Sequence, residues 1–185
     1  LEVPYGRLDR DGLEEITGSR FYGRGIRVQG NALVQPAAMM RGLGATLPAN
    51  VDLYEDSPVA ELRPDDGFRL VCPDGEVLAR KLILANHVFA EEMGFVRYRT
   101  APIATFASLT RPLTEDERRH TGAGEQFGLL PASPNGSTVR RTLDGRILMR
   151  NTLWYARDKR FGPELLARAE RHHRDSVARR WPALA

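Results

Sequence analysis

Residues 51–86 read VDLYEDSPVAELRPDDGFRLVCPDGEVLARKLILAN, and the fold is decided by how this stretch is read. Val51 to Tyr54 and Pro58 to Leu62 are short apolar runs parted by Glu55-Asp56-Ser57. Phe68 to Cys72 alternates, and Pro73-Asp74-Gly75 after it is a hairpin signal, because a tight turn favours residues that accept positive φ. Glu76 to Ala79 is the return strand. Together these runs predict a small antiparallel meander. Leu82-Ile83-Leu84-Ala85 has no polar alternation, so it reads as a strand buried on both faces, as in a parallel sheet. It stops at the polar tip Asn86-His87.

Outward from the meander, the elements alternate in type. Leu8 to Gly18 reads as a short helix capped by Asp9 or Asp11 and stopped by Gly18. Phe21 to Gly30 is a strand or an extended arm. Gln35-Pro36 opens a second helix, with Met39, Met40, Leu43 and Leu47 on one face. Phe89 to Phe95 has room for one or two helical turns. Thr100 to Thr110 reads as a long strand, and Thr114-Glu115-Asp116-Glu117 has the form of a capping box. Phe127 to Leu130, Val139 to Thr142 and Arg146 to Asn151 are further strands, the last two joined through Asp144-Gly145. Pro163 begins a long helix whose apolar stripe is Leu166, Ala169, His173, Val177 and Trp181, ended by Pro182. His173 on that stripe reads as a packed histidine.

Composition narrows the class. A chain of 185 residues suits one large domain or two small ones, and 42% apolar with 28% charged residues is ordinary for a globular protein. No apolar run approaches the ~20 residues that span a bilayer, and Leu1 to Tyr5 is not a signal peptide. The single cysteine, Cys72, excludes an internal disulfide and fits a reducing, cytoplasmic setting; it reads as a small buried hydrophobe. The formal net charge is +3, and Lys81 and Lys159 are the only lysines. Arg168, Arg171, His172, His173, Arg174, Arg179 and Arg180 form the densest basic cluster. No aromatic residue interleaves it to stack bases, so it reads as a solvated helix face rather than a nucleic-acid patch.

Several chemistries lack their residues. His172 and His173 are adjacent and point apart on a helix, while His87 and His120 stand alone, so no metal site is expected. Gly136-Ser137 lacks the G-x-S-x-G elbow of a hydrolase. No phosphate loop matches, and Gly23-Arg24-Gly25 has neither the third glycine nor the following helix of a dinucleotide fingerprint.

The order of segments resembles FAD-dependent oxidoreductases of the D-amino-acid oxidase type, a group that includes glycine and sarcosine oxidases, D-amino-acid dehydrogenases and gamma-glutamylputrescine oxidase. The residues that carry the resemblance are Gln35-Pro36; Leu53 to Val59; Pro73-Asp74-Gly75; Val77-x-Ala79; and Leu82 to Asn86. Further along they are Ala101-Pro102, Ala107 to Leu113, Arg141 to Leu148, and the helix end Trp181-Pro182-Ala183-Leu184. The resemblance implies an α/β (α+β) chain: part of an FAD/NAD(P)-binding α/β domain with its β-meander, plus a mainly antiparallel substrate-domain sheet with flanking helices. By the same resemblance, residues 1–50 join the two domains, 51–95 belong to the FAD domain and 96–185 to the substrate domain.

For the cofactor, the resemblance implies that Pro58 and Val59 pass under the adenine of FAD. Ala85, Asn86 and His87 would lie beside the ribose and pyrophosphate, where ligands sit outside strand ends. Read without it, Val59 is an edge-strand residue and Asn86 a helix cap. The strand end Met149-Arg150-Asn151 would lie nearest the flavin ring, where family members often carry glycines and this chain does not. Arg146 and Arg150 could bind a carboxylate through fork-like hydrogen bonds, or stand solvated or paired with Asp. No residue stands out as catalytic.

The expected activity is oxidation of a small-molecule amine or amino acid by hydride transfer to FAD. The glycine-rich fingerprint and a closing C-terminal segment are expected outside residues 1–185. This stretch by itself is expected to be inactive and to bind FAD weakly or not at all. The alternative is a non-catalytic scaffold module whose basic helix docks a protein or nucleic acid.

Overall fold

Asp9 begins the first helix as the sequence requires: its carboxylate accepts from the Gly12 amide at 3.0 Å, and α1 runs Arg10–Thr17. Gly18 closes it in the left-handed region, at φ 67°. The computed structural model describes residues 3–185. Strand β1, Tyr5–Leu8, precedes α1 and pairs antiparallel with β2, Gly25–Val28. β1 carries Gly6 and Arg7 and no apolar period, so nothing local announces it; its ladder with β2 makes it a strand.

By packing, the chain divides into two compact units: Leu1–Leu33 with Ile103–Ala185, and Val34–Pro102. In the second unit, Gln35 caps α2, Pro36–Ala45, its side-chain oxygen accepting from the Ala38 amide at 2.6 Å. The apolar face of α2 is not buried: Met40 is 62% exposed and Leu43 55%.

The meander forms from β3, Glu61–Asp65, β4, Gly67–Cys72, and β5, Gly75–Ala79, in that order. Its hairpin pairs Cys72 with Gly75 across Pro73-Asp74, as the turn residues demanded. Gly67, at φ 108°, brings the backbone against Ala79, where a Cβ would sit 2.5 Å from the carbonyl oxygen. Arg69 ties β4 to both neighbours through Asp65 at 2.7 Å and Glu76 at 2.5 Å. Cys72 is half-buried at the end of β4.

Two expected strands are absent. Val51 to Tyr54 is irregular, and so is Leu82 to Ala85, where half-buried and exposed positions alternate and Ile83 is 90% exposed. A buried parallel strand needs neighbours on both edges and a cover on both faces. The described residues offer no strand beside Leu82 to Ala85, so its apolar run does not become a strand. Beyond it, His87–Glu91 forms a turn of 3₁₀ helix.

The first unit holds the core. Its sheet consists of β6, Ile103–Leu109, β7, Phe127–Leu129, β8, Thr138–Arg141, and β9, Ile147–Tyr155, antiparallel in the order β6-β9-β8-β7. Between β6 and β7 lies α3, Glu115–Arg119, opened by the capping box of Thr114 and Glu117. Arg111 and the Thr114 amide both bond the Glu117 carboxylate, which holds its pKa down at about 2.

Helix α4, Pro163–Arg180, lies on one face of the sheet, and Leu113, Phe127, Val139, Ile147, Met149 and Trp181 make a contiguous core. Each such side chain contributes roughly 1.5–3 kcal/mol by leaving water. The stripe of α4 is buried at Ala169, His173 and Trp181, but Leu166 near its start is exposed. The architecture is α+β, as the order of segments implied.

The end of α4 is fastened to the loop after α1. The Trp181 indole donates to the Thr17 carbonyl at 2.8 Å, and the Ser19 hydroxyl to the Arg180 carbonyl at 2.7 Å. Arg180 donates to the Tyr22 hydroxyl at 2.9 Å and lies 4.2 Å from the Phe21 ring centroid. Gly122 passes so close to α1 that a Cβ there would be 2.1 Å from the Ile16 carbonyl oxygen.

Candidate functional site

Val59, half-buried, lies before the first residue of β3, and neither its amide nor its carbonyl has a hydrogen-bond partner among the described residues. Pro58, exposed, precedes it. Ala85, Asn86 and His87 lie where the run from Leu82 turns into the 3₁₀ helix. Asn86 donates its amide to the Met93 sulfur at 3.3 Å, and its Oδ1 is buried with no partner. Such an acceptor costs about 1–3 kcal/mol until something donates to it. His87 beside it sits at φ 55°, a conformation non-glycine residues seldom adopt. At this tip the Oδ1 of Asn86 is a buried acceptor that the fold leaves unmet.

The second group of residues lies on β9 and its turn. Arg146 bonds Asp144 at 2.8 Å and the Thr110 carbonyl at 3.0 Å, so its guanidinium is engaged at the hairpin. Met149 is 1% exposed in the core beneath α4. Asn151 also faces α4, donating to Ser137 and to Ser176 on the helix, both at 3.1 Å. Arg150, between them, turns to the opposite face. There it donates to the hydroxyl of Thr138, its register partner on β8, at 2.9 Å. These four residues therefore divide among a turn, a core and two faces of one sheet.

A bulge follows at once. Thr105 pairs with Leu153 but Phe106 with Asn151, leaving Thr152 as the extra residue. Thr152 is β-branched and sits at φ 58°, a strained arrangement. Its hydroxyl donates to Asn151 Oδ1 at 2.9 Å and lies 3.3 Å from His172 Nδ1. Since the hydroxyl proton goes to Asn151, a neutral His172 must present Nδ1–H to Thr152, which leaves Nε2 as an acceptor. This polar cluster borders a cavity of about 580 Å³ with Trp154 and Leu165 on its apolar side. Thr152, Ser137, Ser176 and His172 do not stand out in the sequence. The one trace is a change of phase in β9, from core residues at 147 and 149 to Trp154.

A wider cavity, about 880 Å³, lies along β6, β9 and the other flank of α4. Its floor holds His173, 3% exposed, whose Nδ1 is 2.7 Å from the Ser108 hydroxyl. His173 Nε2 makes no hydrogen bond of full geometry, although the backbone carbonyls of Asn151 and Phe106 stand close enough to favour a protonated ring. Burial outweighs them and holds the pKa below its ordinary value. His173 is thus the packed histidine its place on the stripe suggested.

The basic cluster of α4 does not survive folding as one surface. His173 and Arg180 are buried, and Arg174 is paired with Glu170 at 2.7 Å. Among the described residues no group of three or more His, Cys, Asp or Glu gathers as metal ligands, and no helix is long and apolar enough to cross a membrane.

No curated protein and no solved structure matches the chain. The family model described as FAD dependent oxidoreductase (DAO) matches residues 1–185, and the chain therefore belongs to that family.

Proposed function

We propose that the protein oxidises an amine or amino acid, with residues 51–95 serving the cofactor, residues 96–185 the substrate and residues 1–50 the junction. FAD, the cofactor of the family, supplies the chemistry by accepting a hydride from the carbon that bears nitrogen. This chain's residues bind and orient. Val59 offers a free amide and a free carbonyl, the donor and acceptor pair that the edge of an adenine requires, with Pro58 fixing the backbone before it. Asn86 Oδ1 is an unpaired acceptor that a ribose hydroxyl satisfies, and Ala85 and His87 flank it.

On the substrate side, Arg150 holds the carboxylate. Thr138 fixes one arm of its guanidinium, and the remaining donors can take both carboxylate oxygens in fork geometry. Met149 and Asn151 support it from the opposite face, in the core and through α4. Arg146 anchors the hairpin at the start of β9.

The observation that carries the reading is the pair of unmet acceptors and donors at Asn86 and Val59, in the two stretches where an adenosine moiety is expected. The test is anaerobic mixing of the full-length, flavin-loaded protein with a panel of amino acids and amines, watching the visible flavin band. Bleaching by a primary or secondary amine is the expected result. A full-length protein, extending beyond residues 1–185, that takes up no flavin, or flavin that no amine bleaches, removes the proposal.

A further inference from the structure

The meander and the larger sheet both place two arginines side by side, and treat them differently. In the meander, Arg63 faces Arg69 across β3 and β4. Like charges in that position repel, and the sheet answers with acids: Arg63 bonds Glu61 at 2.6 Å, and Arg69 bonds Asp65 at 2.7 Å and Glu76 at 2.5 Å. In the larger sheet, Arg140 is in register with Leu148, two residues from Arg150 on β9, so the two arginines are diagonal neighbours. Side chains on a strand alternate between faces, and Val139 and Met149 are buried beneath α4. Arg140 and Arg150 therefore share the face turned away from the helix.

No acid answers this pair. The strand positions on that face carry only Arg, Thr, Gly, Ala, Tyr and aliphatic residues. Arg150 bonds only the neutral Thr138, and no carboxylate partners either arginine among the described residues. The register neighbours are small on the outer sides: Ala107 beside Arg150 and Gly128 beside Arg140. On the outer side of Arg140, Leu33 lies over Gly128, where a Cβ would be 2.7 Å from its Cδ2. Two guanidinium groups about 7–8 Å apart at their roots form an uncompensated dication on this face, bounded on the Gly128 side by Leu33.

We propose that Arg140 and Arg150 together bind two carboxylates, and that the substrate is an amine carrying both, an acidic amino acid. Arg150 takes the carboxylate next to the reacting carbon and Arg140 the distal one, so Arg140 sets specificity. The assignment of the substrate rests on the proposed function; the pairing of two arginines with two carboxylates does not.

The test is titration calorimetry of the full-length, flavin-loaded protein with glutarate and with butyrate, neither of which has an amine to oxidise. Glutarate is expected to bind about 10- to 100-fold more tightly, the worth of one added charged hydrogen-bonding pair. Arg140→Gln should collapse that ratio, and Arg150→Gln should weaken both ligands. Arg171→Gln, the same charge change on the far side of α4, should leave the ratio intact. Equal affinities in the wild-type protein overturn the proposal without any variant. So does a ratio that survives Arg140→Gln, or one lost equally in Arg171→Gln. A parallel anaerobic mixing with racemic glutamate and racemic norvaline separates the two readings. If neither bleaches the flavin while glutarate keeps its advantage, the amino-acid reaction fails and the two-carboxylate site stands. If norvaline bleaches it as readily as glutamate, the specificity fails and the reaction stands.

Discussion

Replacing Gly122 by alanine should be among the most damaging small changes in this protein, and the cost can be built up from its parts. Gly122 has φ 91°, where an L side chain is strained by roughly 1–3 kcal/mol. A Cβ there would lie 2.1 Å from the Ile16 carbonyl oxygen, against ordinary contact that begins at 3.4 Å. The segment must therefore retreat from α1 by about 1.3 Å, the difference between those two distances. That retreat stretches the bond from the Ala123 amide to the Glu15 carbonyl, now 3.1 Å, which contributes about 1 kcal/mol. Opening the contact also loosens Ile16 against the core. With about 1 kcal/mol for the loosened Ile16, the sum is about 3–5 kcal/mol.

Gly30 isolates the strain. It has φ 75° and nothing within 4 Å of a Cβ, so Gly30→Ala should cost only about 1–2 kcal/mol. Urea unfolding can read both. Trp181 is 1% exposed in the core and reports unfolding of this unit, and Trp154, 43% exposed, is changed to phenylalanine in the background to leave one probe. The prediction is a gap of about 2–3 kcal/mol between the two variants at equal m-values. Equal costs, or a neutral Gly122→Ala, would mean that the close approach of α1 and the 120–123 segment does not hold in solution.

Three further outcomes follow from other sites. Asn86→Leu removes a buried acceptor with no partner, so the flavin-free protein should be no less stable by thermal melting while flavin retention falls; a marked loss of stability would show that Asn86 is held by the fold itself. Trp181→Phe keeps the ring packing on Phe127 but leaves the Thr17 carbonyl without its donor, which should cost about 1–3 kcal/mol by urea unfolding, and a cost near zero would discount that bond. His173 has its pKa lowered chiefly by burial, so the unfolded chain takes up the proton first as pH falls through its ordinary value of 6.5. Stability should therefore be fully present above that pH and decline below it, down to the lowered folded value. The wild-type protein should show this decline and His173→Gln should lack it; identical pH dependences in the two would refute the assignment.

The elements that were legible in the sequence are those set by local chemistry. Asp9 and Gly18 bound α1, Gln35-Pro36 opens α2, Thr114 and Glu117 close a capping box, and Pro73-Asp74 and Asp144-Gly145 turn hairpins, because caps and turns satisfy their own backbone within a few residues. The family was legible as well, since order and spacing of segments lie along the chain. Leu82 to Ala85 was misread because apolarity predicts burial but a strand needs a partner, and Met39, Met40 and Leu43 on α2 share a face without being covered. β1 was missed for the converse reason, its strand character coming wholly from β2.

Which residues meet depends on strand register and packing. Register, not sequence distance, sets Arg150 beside Thr138 and diagonal to Arg140, and sends Met149 and Asn151 to the other face. A single inserted residue at Thr152 shifts the phase of β9 and brings His172 and Asn151 into one hydrogen-bonded cluster. The orphaned oxygen of Asn86 is likewise invisible until its surroundings are known. Side-chain chemistry is written residue by residue along the chain, but adjacency comes from strand pairing and packing between segments far apart in it, and those are cooperative properties of the whole fold.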